Sequence, residues 1–205
     1  MALVLGCMIA TGCSSCQSDK GKQETDKDTV VVVATELVVE NTISVDREYI
    51  YVNYGDYRWY ETCVLLKDYM DAECDGTVEG VSNVFQFMVD KEEGYDTWAV
   101  VSAYSNDAHV YDVRPGLWVG DFPLNDEEIK LSYKEAFDKM MAANYPKPHS
   151  RQCVLRREVG PVPNVAPQYI FGNNKAQLYV DAVTGDVSDT NPAFKGLEKP
   201  LIEWP

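Results

Sequence analysis

The sequence predicts an α+β protein built as two tandem units, each a helix packed on an antiparallel β-sheet. Three observations predict it. β-branched and alternating runs bounded by turn residues recur along the chain and read as strands. Two stretches between them switch to helical spacing. Each helical stretch is followed by three strand-like runs, so one order of elements occurs twice, and helices grouped beside runs of strands indicate α+β layering.

The first unit spans 29–123. Thr29 to Val45 is dense in valine and reads as strand, including Val30-Val31-Val32-Val33 and Leu37-Val38-Val39. Arg47 to Tyr54 alternates, with Tyr49 and Tyr51 on one face and Ile50, Val52 and Tyr54 on the other, so it reads as another strand ending at Gly55-Asp56. From Asp56 the spacing changes. Trp59, Cys63, Leu66 and Met70 share one helical face, Asp56 suits the N-cap, and Gly76 suits the left-handed stop. Strands follow at Val81 to Val89, Thr97 to Tyr104 and Ala108 to Val113, with turns at Lys91-Glu92-Glu93-Gly94 and Ser105-Asn106-Asp107.

The second unit spans 124–205. Ser132 and Glu135 match a capping box, and Phe137, Met140, Met141 and Asn144 continue a helix that must stop before Pro146. Strands are expected at Arg151 to Val159, Gln168 to Phe171 and Ala176 to Ala182, the last two joined by a hairpin at Gly172-Asn173-Asn174.

The opening Ile129-Lys130-Leu131-Ser132-Tyr133-Lys134-Glu135-Ala136 resembles the "isleeA" start of a PepSY domain. Leu178 to Val187, with Asp181 and Gly185 bracketing a tight turn, resembles that family's closing "vDa.tGev". The resemblance covers roughly 124–187, and Val110 to Gly116 is the nearest counterpart in a diverged first copy. It implies a non-catalytic module of the bacterial envelope that binds a protein or peptide and restrains or regulates a peptidase. Fold analogy alone names no partner.

The N-terminus points to export. Met1 to Gly12 is uncharged and mostly apolar, the length of a signal-peptide core and too short to span a bilayer. Ala10-Thr11-Gly12-Cys13 resembles the lipobox of bacterial lipoproteins, which implies cleavage after residue 12 and a lipid on Cys13. Residues 13–28 are polar and charged and read as a flexible tether. The expected location is therefore the cell envelope, with the protein held at the outer membrane by its lipid alone, facing the periplasm or the surface.

The formal charge of −15 argues against nucleic acid and against an electrostatic hold on anionic lipid. Cys63, Cys74 and Cys153 are left for the folded region. In one continuous helix Cys63 and Cys74 would stand roughly 16 Å apart, beyond disulfide reach, so any bridge in the core would use Cys153. Buried free thiols are the equal alternative.

Chemistry is sparse. His109 and His149 lie in no metal-ligand spacing, and no nucleophile-elbow, Walker or dinucleotide glycine pattern occurs. Asp71, Glu73 and Asp75, followed by Gly76, resemble the start of a calcium loop, but Ser82 stands where the bidentate glutamate belongs. Tyr49, Tyr51, Tyr57 and Tyr60 crowd one segment and are the expected ligand surface, flanking a core-facing Trp59. The reading is a lipoprotein that binds a protein or peptide through an exposed groove or sheet face, with no catalytic residues and no required cofactor. A glycan-binding surface is the alternative, and a hydrolase using Cys153 or clustered carboxylates that meet in a pocket is the third.

Overall fold

The chain folds into an α+β structure around a single antiparallel sheet. The computed structural model describes residues 37–71, 74–92, 95–105 and 109–196, with backbone alone for 90–92 and 95–97. The expected signal peptide, Cys13, the tether and the Val30 to Val33 run lie outside the described residues.

Among the described residues the elements are α1 (Val39–Tyr54), β1 (Tyr57–Leu66), β2 (Val78–Glu92), β3 (Tyr95–Ser105), β4 (His109–Pro115), β5 (Asp121–Phe122), α2 (Tyr133–Ala142), β6 (Gln152–Glu158), β7 (Gln168–Asn173), β8 (Ala176–Asp181) and β9 (Val187–Ser188). The strand order is β4-β3-β2-β1-β6-β7-β8-β9, with β5 beside β6. The two central strands, β1 and β6, pair antiparallel from Glu61 opposite Arg156 to Leu65 opposite Gln152.

The start of the chain corrects two expectations. Leu37 to Tyr54 is not strand: residues 39–54 form α1. Its buried positions Val39, Thr42, Ile43, Asp46 and Ile50 follow helical spacing, and a polar Asp46 in that stripe hid it from a hydropathy reading. Asp56 to Gly76 is likewise not helix: residues 57–66 form β1, and Met70 is exposed in the turn beyond it. The cause is a bulge between Trp59 and Glu61. Inward positions run Trp59, then Thr62, Val64 and Leu66, so the alternation slips by one residue and puts Trp59 and Leu66, seven apart, on one face as a helix would, while Cys63 belongs to the other face. Cys63 and Cys74 therefore share no helix. Cys63 lies on β1, Cys74 lies in the following loop, and both are free, as is Cys153.

Gly76 does adopt the left-handed conformation, at φ +87°, but in a loop. A Cβ there would stand 2.7 Å from the Phe137 ring, so the residue is fixed by packing as well as by backbone. Helix α1 ends at Gly55 (φ +81°), whose N–H donates to the Tyr51 carbonyl.

The second half follows the sequence in element order, but α2 ends at Ala142, short of Asn144, and the β7–β8 turn is Asn174-Lys175, with Gly172 and Asn173 still paired in β7. Ser132 caps α2 through the Glu135 amide, and Glu135 reaches back to the Ser132 amide. Tyr133, Ala136, Phe137 and Met140 are buried against the sheet, with Phe137 edge-on to Phe171 at 6.2 Å. Asp181 accepts the amides of Val183 and Thr184 at 2.8 and 2.9 Å, and Gly185 takes φ +78°. The Ala182 carbonyl accepts the amides of both Lys130 and Leu131, tying the segment that leads into α2 to this turn.

Both helices pack on one face of the sheet. Helix α1 lies over β1 and β2, and α2 lies over β7 and β8. The core joins residues of both, from Val39 and Ile50 to Phe137 and Met140, through Val64, Phe85, Val101, Cys153 and Phe171.

Candidate binding groove

The sheet seam and the two helices leave a groove of about 410 Å³ on the helix-bearing face. Trp59 of β1, Leu155 of β6 and Tyr169 of β7 form its floor, and Ile43 of α1, Ile129 and Leu131 add apolar wall. Glu40 and Arg47 stand on the α1 side, and Asp126, Lys130 and Glu135 on the opposite side. The volume falls in the range of small-molecule and peptide pockets, with an apolar floor and charged rims.

Its polar groups are held by the chain itself. Arg47 Nε donates to the Tyr57 hydroxyl at 2.7 Å, and the same guanidinium pairs with Asp126. Its carbon lies 5.7 Å from the Trp59 ring centroid and 5.9 Å from that of Tyr57. Burial works against the charge, but the bonds to Asp126 and Tyr57 outweigh it and hold the proton more tightly than usual. Glu40 accepts the Tyr133 amide at 2.7 Å, so a carboxylate of α1 sits at the N-terminus of α2. Amide and hydroxyl bonds from Ser132 hold the Glu135 carboxyl below its ordinary range. The Tyr169 hydroxyl donates to the Leu131 carbonyl at 2.8 Å, and burial pushes its pKa up. The groove lining contains no histidine and no cysteine. Its character is shape, apolar surface and fixed charge of both signs.

Beside the groove, α1 is fastened to the sheet by a buried polar network that the sequence did not announce. Asp46 is fully buried. It accepts from Asn83 Nδ2 at 2.7 Å and from the Tyr111 hydroxyl at 3.0 Å, and His109 Nδ1 lies 2.9 Å away. Asn83 in turn accepts from the Thr62 hydroxyl at 2.5 Å, and the Trp59 indole N–H donates to Thr62 at 3.2 Å. Burial beside Asp46 pushes the Tyr111 hydroxyl far above the ordinary range. One hydrogen-bonded chain thus runs from the groove floor to the edge strand β4. The signal for it was Asp46 at the centre of the stripe Val39, Ile43, Ile50, legible only once the segment is read as helix.

The four tyrosines expected as a ligand surface do not come together. Tyr49 stacks on Tyr111 with centroids 3.7 Å apart, which uses one ring face of each. Tyr51 is exposed on α1. Tyr57 borders the groove through Arg47, and Tyr60 is buried at the β1 bulge.

Of the acidic stretch, Glu73 lies outside the described residues. Asp75 accepts the amide and hydroxyl of Thr77 at 2.9 and 2.6 Å, bonds that lower its pKa. The Lys147 ammonium donates to the carbonyls of Tyr69 and Asp71, placing a positive charge of the chain at this turn. Cys153 is completely buried, and desolvation raises its thiol well above the ordinary value, the state of an inert structural cysteine. His109 lies on β4, four strands from β6 in the sheet.

A third charged group occupies the opposite face of the sheet. Arg156 pairs with Glu158 at 2.5 Å, with Asp121 3.7 Å and Glu61 3.9 Å away. Burial raises the pKa of both Glu61 and Asp121, against the lowering influence of that arginine.

No family model, curated protein or solved structure matches this chain.

Proposed function

We propose that this chain is a non-catalytic, lipid-tethered envelope protein that binds an extended apolar peptide segment of a partner protein in the groove between α1 and α2. The observation that carries the reading is the groove itself: an apolar floor of Trp59, Leu155 and Tyr169 between rims bearing both cations and anions. Fixed charge of both signs favours a peptide, whose backbone dipoles and flanking side chains offer both, over a ligand of one sign. The aromatic floor supplies contact area at little entropic cost.

The same reading takes the chain as two tandem helix-on-sheet units. In its support, α1 precedes β1 to β4, α2 precedes β6 to β9, and the leading strands β1 and β6 lie antiparallel at the centre. The PepSY-like character of the second unit rests on its motifs. In its favour, the "isleeA" segment and the Asp181 to Gly185 turn are bonded to one another through the Ala182 carbonyl. The lipid on Cys13 rests on the lipobox, and a tethered binder would gain effective concentration against partners at the same membrane. Restraint of an envelope peptidase is the biological role that suits such a binder.

The test is selection of displayed random peptides on the chain, with Leu131→Arg as the counter-selection. The expected result is a set of peptides rich in apolar residues that bind the parent chain and lose at least tenfold in affinity on the variant. Failure to enrich any peptide, or equal binding to both chains, would overturn the reading.

A further inference from the structure

We propose that the chain self-associates into a weak symmetric dimer by pairing β4 with β4 of a second copy, antiparallel about a two-fold axis at Val113. Strand β4 is the long open edge of the sheet: among the described residues its only neighbour is β3, whereas β9 at the other edge has two residues. A strand with one neighbour presents unpaired backbone groups to any second strand.

The backbone phase fixes which groups those are. Pro115 faces Ala99 in the β3–β4 ladder, so Gly116 faces Trp98, and the Gly116 amide donates to the Trp98 carbonyl at 2.9 Å. Facing residues that bond directly form a hydrogen-bonded pair, and these pairs alternate with non-bonded ones. Arg114, Asp112 and Val110 therefore spend their backbone groups on β3, while His109, Tyr111, Val113 and Pro115 direct theirs outward. Pro115, which lacks an N–H, lies on the outward side, where it breaks no bond to β3 but offers no donor to a second strand, which keeps pairing at this edge weak.

Charge then selects the register. Asp112 and Arg114 lie on the same face, already paired within the strand at 2.6 Å, with Arg114 largely exposed. Centring the axis on Val113 sets Asp112 opposite the partner's Arg114, and symmetry makes the same pair a second time. It also joins the two Val113 residues, 40% exposed in the single chain, by two backbone bonds. Centring on Asp112 would oppose two carboxylates, and centring on Tyr111 would set Asp112 against the partner's Val110. An edge guarded by one sign of charge repels its own copy. This edge carries opposite signs two residues apart, the arrangement that a copy complements.

Five residues of β4 a side, 111–115, pair in this register, a small interface at the weak end below about 1,200 Å² of total buried surface. Sedimentation velocity of the chain from about 10 to about 500 µM should therefore show reversible dimerisation within that span, in the micromolar range expected of weak contacts. Arg114→Asp alone opposes carboxylates across the axis, and Asp112→Arg alone opposes guanidinium groups. Each should raise Kd at least tenfold, and the double exchange Asp112→Arg with Arg114→Asp should restore it. Circular dichroism serves as the folding control, since Arg114 is exposed and Asp112 half-buried. A chain that stays monomeric throughout, or single variants that dimerise like the parent, would overturn the proposal.

Discussion

The two helices lie on the same face of one sheet and are held there by different physics. Helix α2 offers Tyr133, Ala136, Phe137 and Met140, and its attachment is burial of apolar surface. Helix α1 places a charged side chain at the middle of its buried stripe, and Asp46 meets Asn83, Tyr111 and His109. Apolar packing tolerates small shifts, because its energy scales with area. A buried carboxylate does not, because each partner must stay within hydrogen-bond reach or become a buried unpaired group. The difference teaches that α2 is fixed by how much it buries and α1 by where it lies. Since α1 forms one wall of the groove, that polar anchor also sets the groove's width.

The comparison breaks most sharply at these anchors. Asp46→Ala leaves the Asn83 amide and the Tyr111 hydroxyl without their acceptor, and should cost about 4 kcal/mol of unfolding free energy. Phe137→Ala removes area without orphaning a polar group and should cost about 3 kcal/mol. Urea unfolding measures both. A second readout separates them: Asp46→Ala paired with Asn83→Ala should show a coupling of about 1 kcal/mol or more, whereas Phe137→Ala with Asn83→Ala should be additive. Additivity in both cycles would remove the distinction between the two helices.

Alkaline pH tests both halves at once. Burial raises the phenol of Tyr111 under α1, together with those of Tyr133 and Tyr169 and of Tyr69, the last to about 12. In the unfolded chain these groups titrate near the ordinary value of about 10. The folded state then holds more protons than the unfolded one, so stability is full below pH 10 and falls as pH rises from there through the folded values. Tyrosinate absorbance should rise in two stages, exposed phenols first and the buried set only as the chain unfolds. A single transition at pH 10 would contradict the burial of these rings.

The smallest effect separates the helix starts. Ser132→Ala removes the cap of α2 and should cost about 1 kcal/mol. Val38 stands at the corresponding position of α1 with no side-chain cap bond, so Val38→Ala should change thermal stability by less than about 0.5 kcal/mol.

The same contrast explains what the sequence showed. Around α2 every local signal agreed: the Ser132–Glu135 box, the apolar spacing, Pro146 beyond the end, and strands with clean boundaries. Around α1 the signals conflicted. The valine-rich approach and the alternation of Tyr49, Ile50, Tyr51 and Val52 pointed to strand, and the buried stripe was interrupted by an aspartate whose partners come from β2 and β4. In β1 the bulge at Tyr60 shifted the alternation and left a helical spacing in its place. Both are tertiary effects that overrule local preference. The groove was legible only as an expectation of some apolar groove near the tyrosines. Its lining comes from α1, β1, β6, β7 and the approach to α2, stretches brought together by the sheet order, and none of the four expected tyrosines is part of it, Tyr57 being linked to it only through Arg47.

The seam between β1 and β6 has a kinetic consequence. Glu61 and Arg156 are neighbours in the sheet but about 95 residues apart along the chain, whereas β2–β3, β3–β4 and β7–β8 join strands adjacent in sequence. Pairings that close long loops form late and slowly. The two halves should therefore gather their local hairpins first and join at the centre last, assembling the groove floor in that final step. Until β6 arrives, β1 is itself an open edge. The interval between its emergence and that of β6 is when the chain is most exposed to mispairing.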